Sequence, residues 1–347
     1  MVEGPTCCEV PPSTPRRWHR DKTVLTVAVL GLLMLVSYRV PALSVFRHNV
    51  VLYLRVIGLA VVLGFLIGGL LERYVPREYI SMLLAQGKKR SILYAVMLGF
   101  LMSACSHGIL ALSIELHKKG ASGPVVVSFL LASPWANLPI TFILIGFFGL
   151  KALFMIGAAL IIAFVTGVFF QFLEKKGLIE SNKNTLIVHE SYSMREDILR
   201  RVKGARFSMS KLRQDGTAIL RGAFALADMT LWWILIGIGL SGLLAAFIPQ
   251  HFFHRYMGPT VPGLLVTLGL ATVMEVCSEG TSPLAFEIYK QTGAFGNAFV
   301  FLMAGVVTDF TEIGLLWSNV GKKTAVWLPI VTVPQVVLFG FLANKIF

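Results

Sequence analysis

Two tetrapeptides carry the side chains best able to do chemistry. Cys105-Ser106-His107-Gly108 recurs 172 residues later as Cys277-Ser278-Glu279-Gly280. Thiolates prefer soft partners such as trivalent arsenic, Cu(I) or Zn, while imidazole and carboxylate can relay protons or complete a metal shell. Cys105, Cys277, Ser106 and Ser278 are therefore candidate solute-binding residues. His107, Glu279 and Glu275 are candidate proton carriers; Glu275 and Glu279 share a face if helical, and in low dielectric two such carboxylates would not both ionise. The candidate metal ligands are Cys105, His107, Cys277 and Glu279, without the C-x-x-C spacing usual in structural zinc sites. Gly108 and Gly280 are read as turn residues. A single cysteine in an apolar helix is ordinarily a packing residue. Recurrence at matched positions turns the reading toward a paired site.

The elements that must position these residues are membrane helices. Of the 347 residues, 56% are hydrophobic and 14% charged, against about 25% charged in soluble domains. Several uninterrupted apolar runs match the ~20 residues that cross a bilayer as a helix. Continuous rather than alternating runs exclude a closed barrel, so the class is an all-α polytopic membrane protein. The net charge of +13 then reflects Lys and Arg retained on cytoplasmic segments, not a nucleic-acid partner. No phosphate-binding loop, Ser-His-Asp set or H-E-x-x-H pattern occurs, which argues against an ATP-driven pump or an enzyme and calls for no cofactor. The expected parts are a disordered tail (1–22) bearing Cys7 and Cys8 and an extra helix (23–40). A first membrane unit (50–173), a basic cytoplasmic loop (174–217) and a second membrane unit (218–343) follow.

The second unit echoes the first. Val75-Pro76 answers Ile248-Pro249, Glu115 answers Glu287, Gly120-Ala121 answers Gly293-Ala294, and Asn137 answers Asp309, all at offsets of 172 or 173. Such duplication decides architecture. If each Cys-Ser segment is a re-entrant or broken helix, each unit crosses three times and the copies are inverted. With the N-terminus inside, this places 23 Lys and Arg in cytoplasmic segments and 6 outside, as the positive-inside bias requires. Simple crossings would put the ten basic residues of 174–217 outside.

Ionisable residues within spans are expensive and hence functional candidates: His107, Glu115, Glu275, Glu279, Glu287, Asp309 and Glu312 form this set. Asn137 and Asp309, mid-span in Pro134-Trp135-Ala136-Asn137 and Thr308-Asp309-Phe310-Thr311, are further solute-binding candidates. Glu115 and Glu287 stand beside Lys118 and Lys290 and read better as interfacial ion pairs. Trp232-Trp233 reads as a membrane-interface belt.

The Cys-Ser tetrapeptide followed by a Lys-Lys-Gly-Ala turn (118–121) and Phe-Leu-Leu-Ala-Ser-Pro (129–134) resembles the ArsP-type permeases, among them the YraQ-like predicted permeases. Cys277-Ser278-Glu279-Gly280, Ser282-Pro283-Leu284-Ala285 and Phe301-Leu302-Met303-Ala304-Gly305 resemble their C-terminal half; the likeness covers roughly 50–343. It implies an inner-membrane permease, in characterised relatives an exporter of trivalent organoarsenicals with membrane cysteines in the site. Only Cys105 and Cys277 can take that role here. Members often carry Cys-Ser-Cys-Gly where this chain has His107, and the proline usual after that signature is lost near Ala111 but kept as Pro283.

The expectation is a proton-coupled secondary permease for a small soft or thiol-reactive solute, in a bacterial cytoplasmic membrane with its N-terminus inside. Its partners would be lipid, solute and proton. The alternatives are a metal-ion or small-anion permease, and a docking or sensory protein using residues 174–217.

Overall fold

The structure, a computed structural model, describes residues 22–74, Leu84, and residues 90–102, 106–118, 120–182, 209–274 and 278–347. The N-terminal tail with Cys7 and Cys8, most of the 72–90 segment and the middle of the 174–217 loop lie outside the described residues. Every described regular element is a helix. In hydrocarbon a segment must satisfy its own backbone groups, which these apolar runs do as helices.

The first half comprises α1 (Lys22–Val36), α2 (Ser44–Tyr74), α3 (Ser91–Leu101), α4 (Ser106–Lys118), α5 (Gly123–Ala136), α6 (Leu138–Phe148) and α7 (Ala152–Lys175). The second comprises α8 (Met209–Phe247), α9 (Gln250–Tyr256), α10 (Val261–Val273), α11 (Ser278–Thr292), α12 (Phe295–Thr308), α13 (Phe310–Asn319) and α14 (Lys322–Ile346). Among the described residues, five stretches are long and apolar enough to cross a membrane: Ser44–Leu70, Leu138–Lys175 (which holds both α6 and α7), Thr230–Phe247, Phe295–Asn319 and Lys322–Ile346. Exposed Leu25, Leu32, Leu59, Leu153, Ile161 and Phe164 present the apolar outer surface that lipid, not water, favours. The chain is an integral membrane protein.

Several boundaries differ from the sequence reading. The run at 50–71 extends to Ser44–Tyr74, after a 3₁₀ turn that starts at Pro41. The helix of the second half starts at Met209, so residues 209–217 belong to α8 rather than to a loop. Membrane hydropathy marks where lipid ends, not where hydrogen bonding ends, so polar turns beyond the bilayer go uncounted.

Contacts sort the termini into two ends. At one, Lys151 Nζ donates to Tyr289 Oη (2.8 Å), Lys290 Nζ donates to Asn49 Oδ1 (2.6 Å), and Lys151 lies over the Phe347 ring. At the other, Glu180 accepts from the backbone N–H groups of Lys323 (2.9 Å) and Thr324 (3.1 Å). There too Asn182 Nδ2 donates to the His117 (2.6 Å) and Ala121 (2.8 Å) carbonyls. Helix α7 therefore runs from the Lys151 end to the Glu180 end, and α14 runs back. Helices α2 and α8 pack antiparallel: Arg73 pairs with Asp215 at 2.8 Å, and a Cβ on Gly242 would press into the Phe46 ring. Helix α4 ends at the Glu180 end and α11 at the Lys151 end, each closed by a positive-φ glycine, Gly120 (φ 98) and Gly293 (φ 68). Elements in matching order thus run in opposite directions.

Helices α3 and α10, of 11 and 13 residues, rise only about 16–20 Å, short of a ~30 Å core. Helix α3 lies along α5, with Gly99 against Ala132 and Phe129. Helix α10 lies along α12, with the Thr272 hydroxyl 3.0 Å from that of Thr308. Both stop short of a full crossing.

Candidate transport site

Two crossings are broken at matching places. Helix α5 ends where the Asn137 N–H bonds the Ser133 carbonyl (3.0 Å); extended backbone at Asn137 (φ −62, ψ 158) restarts the chain as α6. Its Oδ1 accepts from the Ile140 N–H (2.8 Å), capping the new helix, and Pro139 sits in the first turn, where no amide bond is lost. Asp309 does the same between α12 and α13: its N–H bonds Gly305 (3.0 Å) and its Oδ1 accepts from Thr311 N–H (2.6 Å). Asn137 is buried and Asp309 half-buried. Both solute-binding candidates therefore have a definite structural task at mid-depth.

The tetrapeptides open the helices that follow each half-length helix. Ser106, His107 and Gly108 form the first turn of α4, where only their backbone is described; Cys105, Glu275 and Cys277 lie outside the described residues. In the second copy the side chains are defined. The Ser278 hydroxyl donates to Glu279 Oε2 (3.3 Å), and the Ser282 hydroxyl donates to the Ser278 carbonyl (2.9 Å). Glu279 is buried. Gly280, read as a turn residue, lies inside α11, as Gly108 lies inside α4. Its carbonyl instead meets α8: a Cβ on Gly237 would overlap the Gly280 oxygen. The glycines that turn the chain are Gly120 and Gly293, one helix later.

Packing crosses between the halves. Helix α4 packs on α13, the restart helix of the second half, and α11 packs on α6, the restart helix of the first. Each tetrapeptide helix thus sits against the broken crossing of the other half. On α4 and the helices that pack on it, buried polar atoms are left unpaired among the described residues: Ser113 Oγ on α4, Ser133 Oγ and Trp135 Nε1 on α5, and Glu312 Oε2 on α13. Such atoms are rare in interiors and mark places where a solute, ion or water is to be met.

The sequence missed an interior network at the Lys151 end. Glu287 is fully buried and makes the expected ion pair with Lys290 (Nζ at 3.7 Å); it also accepts from the Tyr53 hydroxyl and from Gln291 Nε2 (2.5 Å). Its counterpart Glu115 is exposed. Pairing with a tyrosine 234 positions away leaves no local signal. Asn297 was also missed; its Nδ2 holds the Met257 (2.9 Å) and Gly258 (3.2 Å) carbonyls and Thr267 Oγ1 (3.0 Å). Trp232 and Trp233 stack at 4.0 Å with Lys22 over Trp232, at the start of the Thr230–Phe247 span.

Broken crossings, half-length helices and buried polar atoms at mid-depth define a class, the helical membrane transporters. The chain belongs to the ArsP_1 family, described as "Predicted permease", whose profile matches residues 42–345. It is 25% identical over 291 residues to the "UPF0718 protein YcgR" of Bacillus subtilis, covering 82% of this chain and 92% of that protein. It is 23% identical over 259 residues to the "Putative two-component membrane permease complex subunit" of Streptococcus mutans, covering 74% and 80%. No solved structure matches the chain.

Proposed function

We propose that this member of the permease family is a secondary transporter for a small soft or thiol-reactive solute, with trivalent organoarsenicals as the class to test first. Cys105 and Cys277 bind the solute at mid-depth, assisted by Ser106, Ser278, Asn137 and Asp309, and His107, Glu279 and Glu275 handle protons. One observation carries the reading: α4 packs on α13 and α11 on α6. This exchanged packing sets each tetrapeptide-bearing helix against the restart helix of the other half.

The halves 50–173 and 218–343 are read as inverted copies, each contributing a re-entrant hairpin tipped by its Cys-Ser tetrapeptide. Matching elements that run in opposite directions support this, and an inverted pair can alternate access around a fixed site by rocking one half against the other. Basic residues support a cytoplasmic Glu180 end: Arg73, Lys118, Lys175, Lys322 and Lys323 are there, against Lys151, Lys290 and Lys345 at the other. The bacterial cytoplasmic membrane, with the N-terminus inside, is the corresponding location. His107 in place of a third thiol makes the site harder and less exclusively thiophilic.

The test is export of methylarsenite from cells expressing the protein. Cys105→Ser and Cys277→Ser should each abolish export at unchanged protein level. Full export by both single variants would remove the thiol site.

A further inference from the structure

The two breaks supply an internal control. In α6, position 140 is isoleucine, 2% exposed; 172 residues on, the equivalent position in α13 is Glu312, also 2% exposed. Both lie three residues past the capping side chain. The architecture therefore accepts a plain apolar residue here, and packing does not call for a carboxyl. Yet Glu312 is enclosed with its Oε2 lacking any hydrogen-bond partner among the described residues. Every other buried carboxyl among them has company: Glu279 has Ser278, and Glu287 has Tyr53, Gln291 and Lys290. An ionised carboxylate held so, without partners, is costly in an apolar interior. Ionisable residues kept in spans at such cost typically serve ion or proton pathways.

The surroundings bear on what Glu312 can exchange with. Helix α13 packs on α12, α14 and α4. Helix α12 has no titratable side chain. Helix α14 brings Lys322 and Lys323 at its first turn and Lys345 at its far end. Helix α4 brings Glu115, His117 and Lys118 toward its end, and His107 in its first turn. On its own element Glu312 has only Asp309 at the cap, whose carboxyl is half-buried and bonded to Thr311. The α4–α13 contact joins the two halves, and it is a seam that opens if the halves rock.

We propose that Glu312 is a further proton-exchanging carboxyl of this permease, beside Glu279 and Glu275: it holds a proton while α4 and α14 enclose it and releases it when water enters between α4 and α13. Asp309, at the half-buried cap, is the adjacent group through which that proton reaches solvent. The inference rests on the transport reading above only for what the proton is coupled to.

Infrared difference spectroscopy of the full chain in liposomes tests it directly. The carbonyl band of a protonated carboxyl should titrate away with rising pH in the wild type. The component that Glu312 contributes should be missing from Glu312→Gln and Glu312→Ile, and the band should be retained in full in Glu115→Gln. The isoleucine variant should be at least as resistant to heat as the wild type, since Ile140 fills the equivalent place. An unchanged band in both Glu312 variants overturns the proposal. Methylarsenite uptake driven by an imposed pH gradient supplies the second arm. Glu312→Gln should lose stimulation by the gradient, and full stimulation in that variant overturns the proposal too. A wild type that moves no methylarsenite but keeps a band assigned to Glu312 refutes the arsenical reading and upholds the proton site.

Discussion

Asn137 and Asp309 break their crossings by the same mechanics, and the helices that restart after them have opposite characters. Helix α6 reads Leu-Pro-Ile-Thr-Phe-Ile, capped by a buried neutral carboxamide. Helix α13 reads Phe-Thr-Glu-Ile-Gly-Leu, capped by a half-buried carboxylate, with Phe310 71% exposed. One break is neutral with a buried cap; the other is acidic with a half-buried cap. The same backbone break thus occurs in both halves with an acidic cap in only one of them. The cap that makes a break possible and the charge that makes it useful are separable features.

That separation can be stressed in order of effect. Ile140→Glu transplants the acidic character into the neutral break. It should cost about 3 kcal/mol, read as a lower unfolding temperature in detergent and reduced protein in the membrane. A variant as stable as the wild type would mean that the two breaks are equally hydrated. Asn137→Ala removes a buried cap and should cost about 1–2 kcal/mol, whereas Asp309→Ala, at a half-exposed cap, should cost about 0.5–1 kcal/mol. Thermal unfolding of the pair measures the difference, and equal losses would erase the distinction between buried and half-buried cap.

The smallest effect lies at the Glu180 end, outside the membrane. Burial alone would raise the Glu180 carboxyl, but hydrogen bonds from the Lys323 and Thr324 N–H groups, its own backbone N–H and the Thr324 hydroxyl outweigh it and hold it below the ordinary carboxylate value. Because the folded value is depressed, the contribution is present above the ordinary ~4.3 and fades as pH falls through the lower folded value. Glu180→Gln should cost about 0.3–1 kcal/mol near neutral pH. The gap to wild type should close on acidification, and a pH-independent gap would rule out a charge effect.

Much of the frame was legible because it is written in local or periodic terms. Apolar runs mark spans, and Pro134 stands just before the break at Asn137. The interior of the site was not. Tyr53 with Glu287, and Glu180 with Lys323, join positions 234 and 143 residues apart, and such partners are fixed only when helices pack. Gly108 and Gly280 were misread because glycine permits a turn without dictating one; in helices it also admits a neighbour, as Gly237 does against Gly280. Glu312 was visible as one of several intramembrane acids. Its singularity emerged only when burial and hydrogen bonding separated it from Glu279 and Glu287, and when the repeat offset set it against Ile140.

The exchanged packing of α4 and α13 also has a meaning for biogenesis. During synthesis helix α4 is complete about 190 residues before α13, the helix it packs on, begins. At about 5–20 residues per second that is a wait of roughly 10–40 s, during which polar atoms such as Ser113 Oγ face lipid, an insertion factor or the translocation channel. The last third of the chain is therefore a chaperone for the first, and a ribosome stalled in the 174–217 segment leaves a half-protein whose own sequence cannot finish it.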